Sequence, residues 1–128
     1  MSENIHILFP FRAMTKDNNK SRNPRTLRYY LTKEFKEFEM LVRDCAIKQY
    51  KGKPLEGPLV VHLHFTFKNH VHPDMWNLPK SICDALTGVL WKNDKQAIRG
   101  FLSLDVNKDE EDSFYIVVKR FKIDGVIQ

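Results

Sequence analysis

The chain is predicted to fold as an α/β domain of α+β type, a small mixed β-sheet with helices packed on one face. Two observations carry that expectation. Residues 59–67 and 98–106 alternate apolar and other side chains with the two-residue period of a strand. Residues 33–49 and 78–89 instead repeat apolar side chains every three or four positions, the spacing of an amphipathic helix. Helices gathered on one face of the sheet bury both kinds of stripe at once. A length of 128 residues suits one domain, residues 1–128, with one core.

In chain order, residues 5–9 read as a first strand closed by Pro10. Residues 12–30, rich in Asn, Arg and Lys and without a steady period, read as a long loop, and unstructured loops of that length are usually functional or mobile. Thr32 is placed to cap a helix over residues 33–49, with Phe35, Phe38, Leu41, Val42 and Cys45 as its apolar stripe. Gly52, Pro54, Gly57 and Pro58 punctuate its exit. The next strand sets Leu59, Val61, Leu63, Phe65 and Phe67 on one face and Val60, His62, His64 and Thr66 on the other. Asn77 is placed to cap a second helix, with Pro79 in its first turn, where a missing amide donor costs little. Leu78, Ile82, Ala85, Leu86 and Val89 form its stripe, and Gly88 ends it. A strand over 98–106, an acidic hairpin loop over 107–113 and a return strand over 114–119 complete the chain.

The formal net charge is +5, and it is unevenly spread. Arg12, Lys16, Lys20, Arg22, Arg25 and Arg28 face only one nearby acid, Asp17, whereas Asp105, Asp109, Glu110, Glu111 and Asp112 crowd the other end. A polyanion such as nucleic acid would meet the first patch and avoid the second; a solvated basic surface is the plainer alternative. Cys45 and Cys83 fall on apolar helix faces and read as reduced thiols, and there is no zinc-type cysteine pair. No signal-like or membrane-length apolar run is present, so no membrane partner and a cytoplasmic location are expected.

The segment from His72 to Asp94 holds most of the chemistry. Asp74 precedes the second helix and Asp94 follows it. Two carboxylates at element ends can share Mg2+ or Mn2+, ions that take hard oxygen ligands, although an Asp before a helix is more often a cap. Lys80 lies in the first helical turn, where the helix dipole does not favour a cation, and can hold a phosphate or simply lie in solvent. Asn77 can cap or contact phosphate. Asp84, one turn beyond Lys80, can pair with it and ranks below Asp74 and Asp94 as a ligand. His62, His64, His70 and His72 suggest a transition-metal cluster at first sight, but no cysteine or third well-placed partner accompanies them. His72 is the histidine nearest the candidate centre. Trp91 reads as core or a subunit contact, and Trp76 as a packing residue under the site or a stacking platform for an unpaired base.

These residues resemble the RusA family of Holliday junction resolvases. The match runs through PDMWNLPK (Pro73 to Lys80), DAL (Asp84 to Leu86) and WKNDKQAI (Trp91 to Ile98), with the basic N-terminal region and first helix fitting more loosely. The resemblance implies a homodimeric nuclease that binds branched DNA, especially four-way junctions of the kind met in recombination and repair, and cuts it with Mg2+ or Mn2+. It makes Asp74 and Asp94 catalytic metal ligands and Lys80 the essential lysine. Asn77 takes the place of the motif asparagine and joins Arg12, Lys16, Lys20, Arg22, Arg25 and Arg28 as a DNA contact. Two positions depart from the pattern. Asn93 replaces an acid before Asp94, and Trp76 stands where the family carries the second acid of an Asp-x-Asp pair. His72 or Asp84 can partly compensate for the acid missing at Trp76; the alternatives to a nuclease are a DNA-binding module with weakened or absent catalysis and a basic interaction domain.

Overall fold

A computed structural model describes residues 4–16, 20–26 and 29–121, with only the backbone of Lys20, Ser21, Tyr29 and Tyr30. Four strands, β1 (Asn4–Phe9), β4 (Leu59–Phe67), β5 (Ala97–Val106) and β6 (Ser113–Arg120), form one mixed sheet in the order β1-β6-β4-β5. β4 and β5 run parallel, while β6 lies antiparallel to both β1 and β4. The helices are α1 (Lys33–Gln49) and α2 (Leu78–Leu86), and α2 lies on the crossover from β4 to β5. Parallel neighbours require such a crossover, which is why the strand-helix-strand pattern and the mixed sheet belong together.

The sheet's inner face is built by register. Phe9, Phe114 and Phe65 lie directly opposite one another across β1, β6 and β4, and Phe114 stacks on Phe9 at 4.5 Å and on Phe65 at 5.5 Å between ring centroids. Ile7, Ile116 and Leu63 form the next row, and Ile5, Val118 and Val61 the one after. α1 seals this face with Phe35, Phe38, Val42 and Ala46; α2 adds Leu78, Ile82, Ala85 and Leu86. Leu41, expected on the α1 stripe, is exposed instead, because the buried arc is carried by Phe38, Val42 and Ala46. Thr32 caps α1 as expected, its side chain accepting from the Phe35 amide. The two helices are joined by Arg43 of α1, whose Nη1 donates to the Ala85 and Thr87 carbonyls at the end of α2. A cation there satisfies orphan carbonyls and opposes the negative helix end.

Three expectations are corrected. The long loop over 12–30 contains a small antiparallel ribbon of β2 (Lys20–Arg22) and β3 (Tyr29–Leu31), too short for a periodicity to register. Residues 107–113 are not a hairpin: β6 passes over β4 and pairs on its far side, so β5 and β6 never meet. Strand alternation reports which face is buried, not which neighbour is bonded. Asn77 occupies the N-cap position of α2 without a side-chain cap bond; Asp74 is the capping side chain, one turn earlier, on the 3-10 turn Met75–Asn77.

Candidate active site around the second helix

Asp74 and Asp94 flank α2 from opposite ends. Asp74 is exposed and its Oδ1 accepts from the Trp76 amide at 3.0 Å, which starts the 3-10 turn that leads into α2. Asp94 sits beyond the helix, where Gly88, at φ 90°, turns the chain back and its amide donates to the Trp91 carbonyl. That turn brings Thr87 and the Trp91 indole to the same carboxylate oxygen. Thr87 Oγ1 donates to Asp94 Oδ1 at 2.6 Å and Trp91 Nε1 donates to it at 2.9 Å. Trp91 is buried, so its indole fixes the acid from inside the core. Among the described residues no hydrogen bond engages Asp94 Oδ2, and the same holds for Asp74 Oδ2. Each acid is thus oriented through one oxygen and retains a second hard-oxygen donor.

Between them lies an ion cluster on α2. Asp84 meets Lys80 at 3.1 Å, one helical turn apart, and Lys16 at 2.5 Å. The Lys16 backbone amide also donates to the buried Ser81 hydroxyl, so the N-terminal basic segment is anchored on this helix by two contacts. Burial pushes the Asp84 carboxyl up, but the hydrogen bonds and charges of Lys16 and Lys80 outweigh it, and it titrates below the ordinary carboxylate range. Lys80 is raised by its hydrogen bond to Asp84 and by the Asp84 charge, with Asp94 adding to the same field. Cys83, next to Asp84, is pushed up to about 12 by burial and by the charges of Asp94 and Asp84. Lys80, Asp84 and Asp94 therefore share one electrostatic neighbourhood. No described contact joins Asp74 to it.

The other candidates are placed as follows. Trp76 is 75% exposed, so it does not pack under the site; its indole stands in solvent beside Asp74. His72 stacks on Phe67 at 5.3 Å, with its Nδ1 2.8 Å from the Pro73 carbonyl. Arg12 lies over the same Phe67 ring, donates to the Val71 carbonyl and pairs with Asp112 at 3.2 Å. It ties the exit of β4 to the acidic loop. Arg22 and Arg25 are exposed, near the β2–β3 ribbon. Lys20 lies in β2, and Arg28 falls outside the described residues. Asn77 is half-buried, its carbonyl accepting from Ser81 Oγ. His62 and His64 do not act as a ligand pair: His64 Nδ1 is 2.6 Å from Ser103 Oγ and its Nε2 is 3.4 Å from Asp105. Both cysteines are free and half-buried.

Sequence reasoning missed Thr87, and it read Lys16 as a DNA contact without its pairing to Asp84. A buried Trp needs a partner for its N–H, and Asp94 three residues after Trp91 was a readable candidate. Nothing local signalled Thr87, which reaches Asp94 only because Gly88 folds the turn.

Among the described residues no group of three or more His, Cys, Asp or Glu side chains is arranged to hold a metal ion. The donors that Asp74 and Asp94 offer, carboxylate oxygens, are of the type that Mg2+ and Mn2+ prefer. No described helix is long and apolar enough to cross a membrane. No curated protein matches the chain. A family model, endodeoxyribonuclease RusA, matches residues 10–119, a span that contains β4, α2, β5 and every candidate site residue. The chain belongs to the RusA endodeoxyribonuclease family.

Proposed function

We propose that the protein is a divalent-metal-dependent endonuclease that resolves four-way junctions and related branched DNA as a homodimer. The observation that carries this reading is the Asp94 carboxylate, held through one oxygen by Thr87 and Trp91 and lying in the field of Lys80, inside a region that matches the RusA family. Asp74 and Asp94 would hold Mg2+ or Mn2+, and the bound ion supplies positive charge beside the phosphate being hydrolysed. Thr87 and Trp91 keep Asp94 oriented, so little reorganisation is needed when DNA binds. Lys80, protonated and largely exposed, leaves Asp84 for the scissile phosphate; Asp84 stays neutralised by Lys16. Arg22 and Arg25 contact backbone phosphates of the duplex arms, sequence-independently, and Lys20 and Arg28 belong to the same basic run.

The test is cleavage of a synthetic four-way junction with Mg2+ or Mn2+, beside linear duplex of the same sequence. Asp74→Asn and Asp94→Asn are expected to lower cleavage by at least about a hundredfold while junction binding persists. Asparagine keeps an oxygen for the donors that orient each acid. Equal cutting of junction and linear DNA would remove the junction specificity.

A second reading is favoured by Trp76, whose exposed indole occupies the position where the family resemblance puts another acid. On that reading the protein binds junctions and cuts them poorly. Gain of metal-dependent cleavage in Trp76→Asp supports it; vigorous cleavage by the unaltered protein sinks it.

A further inference from the structure

Cations that lie far apart in the sequence come together at one end of the sheet. Leu59 pairs with both Ala97 and Arg120, which sets the start of β4, the start of β5 and the end of β6 side by side. The segment 50–58 enters β4 there, and the turn 91–96 enters β5 there. A cleft of about 620 Å3 opens between them, lined by Tyr50, Lys53, Glu56, Lys92 and Arg120 among others. Lys51 and Lys95, both exposed, flank it in the chain. Among the described residues lining it, Glu56 is the one acid against three cations, and Lys92 donates to it. The hydrogen bond and charge of Lys92, with the charge of Arg120 behind them, hold the Glu56 carboxyl below the ordinary range. Glu56, Lys92 and Arg120 thus share one field. Among the described residues no ion pair engages Lys53 or Arg120. The acidic loop 107–112 leaves from the opposite end of β5.

The cleft is built into the turn that carries Asp94. Gln96 Nε2 donates to the Leu55 and Gly57 carbonyls, and its Oε1 accepts from the Lys92 and Asn93 amides. The Leu55 amide donates to the Leu90 carbonyl. On the other wall the Tyr50 hydroxyl donates to the Lys53 carbonyl, and its ring lies so close to Gly52 that a Cβ there would come within 2.5 Å of the hydroxyl oxygen. The wall holding Lys53 and Glu56 and the turn holding Asp94 are therefore one hydrogen-bonded unit. Lys92 stands two residues before Asp94, at most about 7 Å of extended chain. Exposed lysine and arginine side chains from three segments suit a row of backbone phosphates, which such side chains hold without reading bases.

We propose that this cleft holds backbone phosphates of the DNA strand next to the one at Asp94, and that Lys53, Lys92 and Arg120 position the strand for cutting. Glu56 tunes the grip, because it neutralises Lys92 until a phosphate arrives. The inference rests on the junction-nuclease reading for what happens at Asp94, and it adds a DNA contact remote in sequence from the basic run of the N-terminal half.

Junction affinity measured against salt in EDTA, where nothing is cut, tests the cleft separately from the chemistry. Lys53→Ala with Arg120→Ala is expected to weaken binding at least about tenfold at low salt and to lower the slope of log affinity against log salt by about two. Lys108→Ala, which removes a charge from the loop at the other end of the sheet, leaves both unchanged. Glu56→Gln acts in the opposite sense, tightening binding and steepening the slope, a gain that damage to the fold does not produce. The Lys53 side chain takes no part in the Tyr50 bond, so the double variant should unfold at the parent's midpoint. Replacing phosphates around the branch point one at a time with neutral methylphosphonates gives the position: at least one replacement weakens the parent and leaves the double variant unaffected. A parent without junction affinity, a double variant with the parent's slope, or a Lys108→Ala effect as large as that of the cleft variants overturns the proposal. So does inorganic phosphate that displaces DNA from the parent but not from the double variant at matched ionic strength, which marks a site for the free anion. A parent that binds through the cleft and cuts nothing leaves this contact standing and removes the nuclease reading; a parent that cuts junctions no better than the double variant does the reverse.

Discussion

At the scale of single residues, the second helix shows how neighbours set what a group can do. Cys83 has its thiol pushed up to about 12, so at pH 8 only about one molecule in ten thousand carries the thiolate that reacts. Cys83 is expected to resist a thiol reagent at pH 8 until the protein is unfolded, and counting modified sites by mass spectrometry checks this. Asp84 titrates in the opposite sense. Its folded carboxyl is held below the ordinary range, so its contribution to stability is present above the unfolded value of about 3.9 and is lost as the pH falls through the folded one. Asp84→Asn should therefore cost about 1 kcal/mol at pH 7, and the difference from the parent should vanish in strong acid; urea titrations at both pH values measure it. The sequence marked Asp84 as a partner for Lys80 because the two are one helical turn apart. It was silent on Lys16, which arrives from 68 positions away and is the closer cation. Local spacing is legible; a contact made by a loop folding back is not. Trp91 gives the same lesson in another form. Its apolar body, read as core or a subunit contact, lies in the core, while its N–H, the atom that holds Asp94, lay outside any apolar pattern.

At the scale of elements, segments with a strong period were readable almost to the residue. α1 begins after Thr32 and β4 spans Leu59–Phe67, as their patterns require. Their bounds are set by a cap, prolines and glycines that act within a few residues. What failed was pairing: the faces of β5 and β6 were right, but β4 stands between them. The six residues 107–112 cross roughly 10 Å, two strand spacings. Their acids are fixed on the way by Lys68, whose amide donates to Asp112 and whose ammonium meets Glu111. The turn after α2 is the element on which the candidate site depends most. Gly88 has room for a methyl group, whose nearest neighbour would be Arg43 Nη2 at 3.9 Å, but its φ of 90° is one that other residues rarely adopt. Gly88→Ala is expected to destabilise the fold by about 1 kcal/mol and to loosen Asp94 by moving Thr87. Thermal unfolding reads the first effect, and a fall in cleavage greater than the fall in junction affinity reads the second.

At the scale of the whole molecule, charge is divided. The basic residues of the N-terminal half reach α2 through Lys16, whereas the acids of the 107–112 loop gather against Arg12 and Lys68. Arg22 and Arg25 remain exposed for an anionic partner. Replacing both with Ala should weaken junction binding at low salt, and the slope of log affinity against log salt should fall by about one for each phosphate no longer neutralised. Filter binding from low to moderate salt measures it; an unchanged slope would place the DNA elsewhere. Here the sequence was informative, because uneven charge is visible in a string of residues. Which of those charges are already neutralised inside the fold was not, and Arg12 and Lys16 prove to be engaged.

The strand order has a consequence for how the chain comes into being. β1 finds its only described partner in β6, the last described strand, with the helical and parallel portion between them. A growing polypeptide at about 5–20 residues per second holds β1 unmatched for about 5–20 s, its Ile5, Ile7 and Phe9 with no ladder to join. During synthesis the β4-α2-β5 unit can gather first, and the final strand then threads between the two that wait for it. The last described strand, not the first, closes this sheet.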